Sequence, residues 1–173
     1  EVTTGTIYNN RGAATVTLEA WDEDARDFEP VDSAEVPPDG ESHAVTLRGP
    51  TRGLYRVHVE ESMTGTVVVW PEGLLRTTPA GLDHANHVTG RDNWYFYVPE
   101  GARVIGAYVS ARGGRIEDPT GETVASFENK SYTDYLSIEV PRGQDGRLWT
   151  VRALAGSIQL LTVPPYGAGS AGD

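Results

Sequence analysis

The chain has 173 residues, of which 38% are hydrophobic, and a formal net charge of −11 at pH 7. This length suits one large domain or two small ones, and the acidic surface argues against nucleic-acid binding because it repels phosphate backbones. The chain has no cysteine, which excludes disulfides and thiolate chemistry, and no apolar run long enough to predict membrane insertion.

Short runs of Val, Thr, Leu and aromatic residues, separated by Gly and Pro, predict β-strands along the whole chain. No window keeps the spacing of an amphipathic helix, so we expect almost no helix. We therefore predict an all-β protein made of antiparallel β-sandwich units of jelly-roll type. In chain order, the predicted strands are 15–21, 44–47, 54–60, 66–70, 94–98, 104–109, 136–140, 148–153 and 157–163.

The acidic loop after the first strand is a candidate metal site. It places Asp22, Asp24 and Asp27 within six residues. Carboxylate oxygens are the ligands that Ca²⁺ prefers, so these side chains could hold a structural calcium ion. The spacing departs from that of an EF-hand loop, and a solvated acidic turn is the competing interpretation.

A first aromatic platform is predicted on the hairpin formed by runs 54–60 and 66–70. Alternation turns Arg56 and His58 outward in the first run, and it turns Val67 and Val69 inward in the second. If the two runs pair around residues 62–64, Trp70 lies outward and opposite Arg56.

This hairpin has a counterpart in the second half, about 92 residues further on. Tyr55 then matches Trp149, Val57 matches Val151, and the stretch 65–67 matches 156–158. One supersecondary unit used twice predicts two sandwiches in tandem, although a single larger sandwich that shares strands from both halves stays an alternative. The predicted division is a first unit at 1–78, a connector at 79–91, a second unit at 92–166 and a flexible tail at 167–173.

A second aromatic platform is predicted in the second half. If Phe96 is buried, Tyr95 and Tyr97 face outward, and Tyr108 falls on the outward positions of the next strand. Exposed aromatic rings among polar side chains can hold sugars, because the ring stacks on the C–H face while polar groups bind the hydroxyls. The competing interpretation is that these rings cover an interface with another unit or domain.

The run that begins this second platform is also familiar. Residues 94–101, W-Y-F-Y-V-P-E-G, resemble the opening Y-F-x-V-P-x-G of bacterial pre-peptidase C-terminal domains and related accessory sandwiches. Residues 146–151 and 156–160 resemble the later G-x-Y-x-V-x-V and G-x-Y-x-L motifs of that family, whereas the first half lacks the opening motif. The resemblance implies a β-sandwich appended to a secreted bacterial hydrolase, and some such domains are carbohydrate-binding modules.

No pattern of nucleophile, base or paired carboxylates predicts catalysis, so we do not expect an enzyme. We predict a monomeric, secreted, non-catalytic accessory module of a bacterial polysaccharide-degrading enzyme. It would bind a polysaccharide by aromatic stacking, through Trp70, Arg56 and His58 or through Tyr95, Tyr97 and Tyr108. The alternative is a structural spacer that has no ligand of its own and contacts neighbouring domains of a larger protein.

Overall fold

The computed structural model describes residues 1–9, 11–89, 93–127 and 131–172. Within these ranges the chain forms 16 β-strands and no helix, and the strand pairs are antiparallel. The predicted all-β class is confirmed. The described ranges accordingly offer no helix with the length and hydropathy needed to cross a membrane.

The chain divides into two compact units, Glu1–Glu72 and Gly73–Asp173. The first unit contains two three-stranded sheets, with strand orders β4-β1-β6 and β3-β2-β5. Val2 and Val68 from one sheet and Val16 and Val57 from the other pack into a common core, which makes this unit a small sandwich. Its strands are β1 (Val2–Thr4), β2 (Ala14–Asp22), β3 (Asp27–Val36), β4 (Ser42–His43), β5 (Tyr55–Glu60) and β6 (Thr66–Val68).

The second unit is a larger sandwich of ten strands. One sheet has the order β13-β10-β15-β8 and the other has the order β12-β11-β14-β9-β16-β7. Phe96 and Trp149 from the six-stranded sheet pack in one core with Ile105 and Ile158 from the four-stranded sheet. The strands are β7 (Thr78–Pro79), β8 (Asn86–Thr89), β9 (Asn93–Val98), β10 (Val104–Arg112), β11 (Arg115–Glu117), β12 (Thr123–Ser126), β13 (Ser131–Glu139), β14 (Arg147–Arg152), β15 (Ala155–Leu160) and β16 (Tyr166–Ala168).

The two units share one strand topology. Strands β1 to β6 correspond in order to β10 to β15, because β4-β1-β6 matches β13-β10-β15 and β3-β2-β5 matches β12-β11-β14. The second unit then adds β8 beside β15 in one sheet. In the other sheet it adds β9 beside β14, followed by β16 and then β7. The repeat seen in the sequence is therefore a six-strand repeat, which the second unit extends with four further strands.

Two details show that the correspondence reaches single residues. The pairs β2–β3 and β11–β12 each contain a β-bulge immediately before a glutamate, which is Glu19 in one unit and Glu117 in the other. The aromatic residue of the repeat also reaches back to the preceding loop in both units. Tyr55 donates its hydroxyl hydrogen to the Thr51 carbonyl, and Trp149 donates Nε1–H to the Gln144 carbonyl at 2.9 Å.

The opening motif V-P-E-G also has a structural explanation. It covers the end of β9 and the turn into β10, and the described residues of the first unit contain no strand that corresponds to β9. Gly101 in this turn has a φ of +83°, which glycine adopts without steric cost, and its amide donates to Asp145 Oδ2 at 2.7 Å. The motif and a strand to carry it are both missing from the described part of residues 1–72.

The predicted domain limits need correction. The division lies at Glu72 and Gly73, before the predicted connector at 79–91, of which residues 90 and 91 lie outside the described part. Strands β7 and β8 in that segment pair with β16 and β15, so the segment belongs to the second unit. The predicted tail at 167–173 begins inside β16, where Gly167 and Ala168 are buried and paired with β9, whereas Asp173 lies outside the described residues.

The predicted hairpin of the first unit is also wrong. β5 pairs with β2 in one sheet and β6 pairs with β1 in the other, so β5 and β6 are not partners. Val67 and Val69 are 51% and 57% exposed, whereas Val68 packs on the core. The inward and outward positions of this run are therefore the reverse of those predicted, because a one-residue change in register turns every side chain to the other face.

Candidate functional site

The outer face of the six-stranded sheet brings two of the predicted tyrosines together. On β9, Trp94, Phe96 and Val98 point into the core, whereas Tyr95 is half-buried and Tyr97 is 45% exposed on the opposite face. Residues two apart on a strand are about 6.7 Å apart, so the two tyrosines are neighbours on one surface. The prediction that both face outward is confirmed.

Tyr108, predicted on the same platform, lies elsewhere. It belongs to β10 in the four-stranded sheet, which lies on the opposite side of the core from the six-stranded sheet that carries Tyr95. There its ring lies 5.2 Å from that of Tyr135, measured between centroids, in an edge-to-face arrangement. The sandwich therefore separates Tyr108 from Tyr95 and Tyr97.

Next to Tyr95, two arginines share one buried carboxylate. Glu117 on β11 accepts a hydrogen bond from Arg115 Nε at 2.7 Å on one oxygen and from Arg152 Nε on the other. Arg152 also donates from Nη1 to Asn93 Oδ1 at 3.3 Å. The register places Tyr95 opposite Thr150, and Thr150 opposite Glu117. Tyr95 on β9 and Glu117 on β11 thus lie on either side of Thr150 on β14.

The ion pairs keep these groups charged. Burial by itself would raise the pKa of Glu117, but the hydrogen bonds and charges of Arg152 and Arg115 outweigh it, so the net pKa is lowered. The same contact with Glu117 raises the pKa of Arg152. The side chains of Arg152 and Arg115 remain 39% and 38% exposed, so both can also donate to a molecule on this face.

One wall of the site is the turn that links β11 and β12. Asp118 Oδ1 accepts hydrogen bonds from the amide of Thr120 at 2.8 Å, from its hydroxyl at 2.6 Å and from the amide of Glu122 at 3.0 Å. Burial would raise the pKa of Asp118, but these hydrogen bonds outweigh it and the net pKa is lowered. The carboxylate therefore fixes the shape of the wall.

Between this wall and β9 lies an open cavity of about 380 Å³. Its lining combines one aromatic ring, two carboxylates, one guanidinium and two hydroxyl groups with apolar and backbone surface. The residues that line it are Tyr95, Glu117, Asp118, Pro119, Thr120, Gly121, Leu148, Thr150, Arg152 and Ala171. A second cavity, of about 370 Å³, lies near His84 and Tyr166. We place the candidate site at the first cavity because hydrogen bonds hold its polar side chains in fixed positions.

The position of β9 depends on a close contact with β16. A Cβ atom on Gly167 would lie 2.2 Å from the Trp94 ring and 2.5 Å from the Tyr95 carbonyl oxygen, so only glycine fits. Trp94 Nε1 donates to Thr78 Oγ1 at 3.1 Å, and Thr78 Oγ1 donates to the Gly167 carbonyl at 3.2 Å. The residues predicted as a tail thus support the site, and Ala171 lines it.

The platform predicted in the first unit has a different composition. Arg56 and His58 are exposed as predicted, but the register places them opposite Glu19 and Thr17 on β2. The Arg56 guanidinium binds Glu19 and lies 4.5 Å from the centroid of the Phe28 ring, which contacts Trp21 edge to face at 5.2 Å. The predicted pairing of Arg56 with Trp70 across a hairpin is wrong, and Trp70 is half-buried after β6.

The three aspartates of the acidic loop are not gathered as a metal site. Asp22 Oδ1 accepts the amides of Asp24 and Ala25 at 2.8 Å each, and Asp27 Oδ1 accepts the amide of Phe28 at 2.7 Å. These carboxylates stabilise the turn between β2 and β3. In the part of the chain that the structure describes, no group of three or more His, Cys, Asp or Glu side chains could hold a metal ion.

The sequence alone did not predict that Arg115, Glu117, Arg152 and the Asp118 turn belong to a site. Two signals were present. Arg115 and Glu117 alternate on one face of a strand, and Arg152 follows Thr150 at the same spacing. Their proximity became visible only with the pairing of β11 and β14.

No family model, no curated protein and no solved structure matches the chain.

Proposed function

We propose that the second unit is a non-catalytic glycan-binding module, as expected for an accessory domain of a secreted bacterial polysaccharide-degrading enzyme. The observation that carries the proposal is the half-buried ring of Tyr95 at the edge of a cavity lined by fixed polar groups. A sugar ring needs an apolar surface for its C–H face and directed donors and acceptors for its hydroxyls. Tyr95 supplies the surface, and Arg152, Thr150 and Thr120 supply the polar groups.

The charges of the site favour a neutral sugar. The guanidinium groups of Arg115 and Arg152 are balanced by the carboxylates of Glu117 and Asp118, and the whole chain carries −11. A polyanionic glycan would meet an unfavourable field without a local excess of positive charge. The ligand class proposed is therefore a neutral polysaccharide, bound at one shallow site with a free energy of about −4 to −8 kcal/mol.

Affinity gel electrophoresis with soluble neutral polysaccharides tests this proposal, with a polyuronate gel as the charged counterpart. We expect a neutral polysaccharide to retard the wild-type chain and the polyuronate to leave it unretarded. Tyr95→Ala should weaken the interaction about tenfold or more, which corresponds to about 1.4 kcal/mol.

Tyr135→Ala is the matched control, because Tyr135 is 71% exposed on the outer face of the other sheet. This variant should bind like the wild type, and near-ultraviolet circular dichroism should show both variants folded. Loss of binding in Tyr135→Ala alone would move the site to the Tyr108–Tyr135 face. A folded wild type that no neutral polysaccharide retards would favour the spacer alternative.

A further inference from the structure

The outer face of the six-stranded sheet carries an apolar row beside the candidate site. Leu148 on β14 lies opposite Tyr97 on β9. Continuing the register of β16 and β9 by one pair brings Tyr166 opposite Tyr97, and Tyr166 lies opposite Pro79 on β7. Side chains opposite one another on neighbouring strands share a face of the sheet. The apolar row therefore crosses four strands and consists of Leu148, Tyr97, Tyr166 and Pro79.

All four residues of the apolar row are exposed. The leucine and the two tyrosines have between 40% and 52% of their surface exposed, and Pro79 is exposed as well. The adjacent residues Phe96, Trp149 and Gly167 are buried, as alternation along a strand requires. Neighbouring strands lie about 4.8 Å apart, so three steps between strands give the row a length of about 14 Å. The row carries no charge, and its polar groups are the two tyrosine hydroxyls.

The apolar row connects the two cavities described above. At one end, Leu148 lines the cavity of about 380 Å³ that forms the candidate site. At the other end, Tyr166 and Pro79 line the cavity of about 370 Å³, where Asp83 and His84 add polar side chains. The two cavities thus lie at the ends of one continuous surface, which offers polar groups at both ends and apolar groups between them.

This surface fits a straight sugar chain. Along its length, such a chain needs an apolar surface for its C–H faces and polar partners for its hydroxyl groups. In a cellulose-type glucan, in which the glucose units are β-linked, the ring hydroxyls are equatorial. Both faces of each ring therefore consist of C–H groups, and the chain is flat and extended. A starch-type glucan, with α-linked glucose units, coils and would leave a straight row after a few units.

We infer that the candidate site continues along the apolar row into the second cavity, and that its ligand is a cellulose-type glucan chain. The inference rests on the proposed function, because the cavity beside Tyr95 is its first subsite. One glucose unit occupies each cavity, and at least one further unit stacks on Tyr97 between them. The chain therefore lies across the strands, and a disaccharide is too short to reach both cavities.

Titration of the whole chain with cello-oligosaccharides, followed by NMR, tests this inference. Cellohexaose should bind about tenfold or more tightly than cellobiose, because only the longer chain reaches the second cavity. The amides of Asp83 and His84 should shift with cellohexaose and stay unchanged with cellobiose. Maltohexaose, which is α-linked, should bind more weakly than cellohexaose. Equal affinities for cellobiose and cellohexaose, or a preference for maltohexaose, would overturn the inference.

Variants of Tyr166 separate the apolar row from the first cavity. Tyr166→Ala should weaken cellohexaose binding about fivefold or more and leave the Kd for cellobiose within about twofold. Tyr166→Phe keeps the ring and should bind cellohexaose like the wild type, and Tyr135→Ala on the other sheet is the control. Wild-type binding of cellohexaose by Tyr166→Ala would contradict the second subsite. If circular dichroism shows this variant unfolded, the length dependence and the amide shifts decide.

The same measurements distinguish failure of this inference from failure of the proposed function. Binding of cellobiose at Tyr95 with no gain for cellohexaose would overturn the extended site and leave glycan binding in place. A chain that binds none of the cello-oligosaccharides would overturn this inference, whereas the proposed function fails only if no neutral polysaccharide retards the chain in the affinity gel. Sedimentation as a dimer that cellohexaose does not dissociate would also overturn the inference, because a second copy would then cover the row.

Discussion

The two units of this chain are built on the same six strands, yet they differ in how completely those strands are covered. Five hydrophobic residues are buried among the described residues of the first unit, and none of them is aromatic. The second unit buries 18 in its described part, with Trp94, Phe96 and Trp149 at the centre. Because burial of apolar surface is the main stabilising term, the shared topology alone cannot make the units equally stable.

What the second unit adds is a strand that contributes both to the core and to the candidate site. The inward side chains of β9 complete the core, and its outward side chain Tyr95 lines the candidate site, with Tyr97 beside it on the same face. The first unit keeps the glutamate as Glu19, but its partner Arg56 stands at the position of Thr150, whereas His58 takes the position of Arg152. The repeated strands thus share the carboxylate alone, and in the second unit the added strand supplies the aromatic surface.

The largest expected difference between the units is at the repeated aromatic position. Trp149→Ala should destabilise the second unit by about 3–5 kcal/mol, because the side chain is fully buried. Tyr55→Ala should cost the first unit about 1–2 kcal/mol, because its ring is only half-buried. Hydrogen exchange and mass spectrometry in increasing urea report on each unit separately. Equal costs would contradict the difference in packing.

The next effect concerns β16, which the first unit lacks. Gly167→Val should destabilise the second unit by about 1–3 kcal/mol, because any Cβ at this position meets the Trp94 ring. Gly169→Val is the matched control, since a Cβ there meets nothing within 4 Å, and it should change stability by less than about 0.5 kcal/mol. Calorimetric melting curves of the two variants measure the difference, and equal melting temperatures would argue against the close packing of β16.

These comparisons also show how far the sequence could predict the fold. Alternation and turn residues were enough for the all-β class, the repeat and the outward direction of Tyr95 and Tyr97, because these are local properties of a strand. Strand partners are not local. Two runs separated by the turn at 62–64 resemble a hairpin, but each pairs with a strand more than 30 residues earlier in the chain.

The site itself was predictable only in part, for the same reason. Tyr95 and Tyr97 were found because their own strand determines their direction. Glu117 and Arg152 are 35 residues apart, and their contact depends on the pairing of β11 with β14. Likewise, nothing in the composition of residues 167–173 indicated that Gly167 packs on Trp94, because a Gly- and Ala-rich end is also typical of a linker.

A third prediction compares the two repeated glutamates. Glu117→Gln should lower the stability of the second unit by about 1–2 kcal/mol at pH 7, because the buried carboxylate receives charged hydrogen bonds from both sides. Glu19→Gln should cost less than about 1 kcal/mol, since it has a single arginine partner, Arg56, whose side chain is 45% exposed. Urea unfolding of the two variants, followed for each unit by hydrogen exchange, provides the test.

The pH dependence gives this comparison a second readout. The folded pKa values of Glu117 and Asp118 lie below their ordinary values of 4.5 and 3.8. The stabilisation that this provides is therefore fully present above about pH 4.5 and is lost as the pH falls through the folded pKa values. Glu117→Gln should flatten the acid loss of stability in the second unit. An unchanged pH profile would show that the ion pairs of Glu117 do not contribute to the loss of stability at acid pH.

The smallest expected effect tests the reversed faces of β6. Val67→Thr should change stability by less than about 0.5 kcal/mol, because Val67 is 51% exposed. Val68→Thr should cost about 1 kcal/mol, because it places a hydroxyl group against the core formed with Val2 and Val16. The two substitutions are chemically identical and one residue apart, so their difference in urea midpoint depends on the register alone. A larger cost at Val67 than at Val68 would contradict this register and would support the hairpin that the sequence suggests.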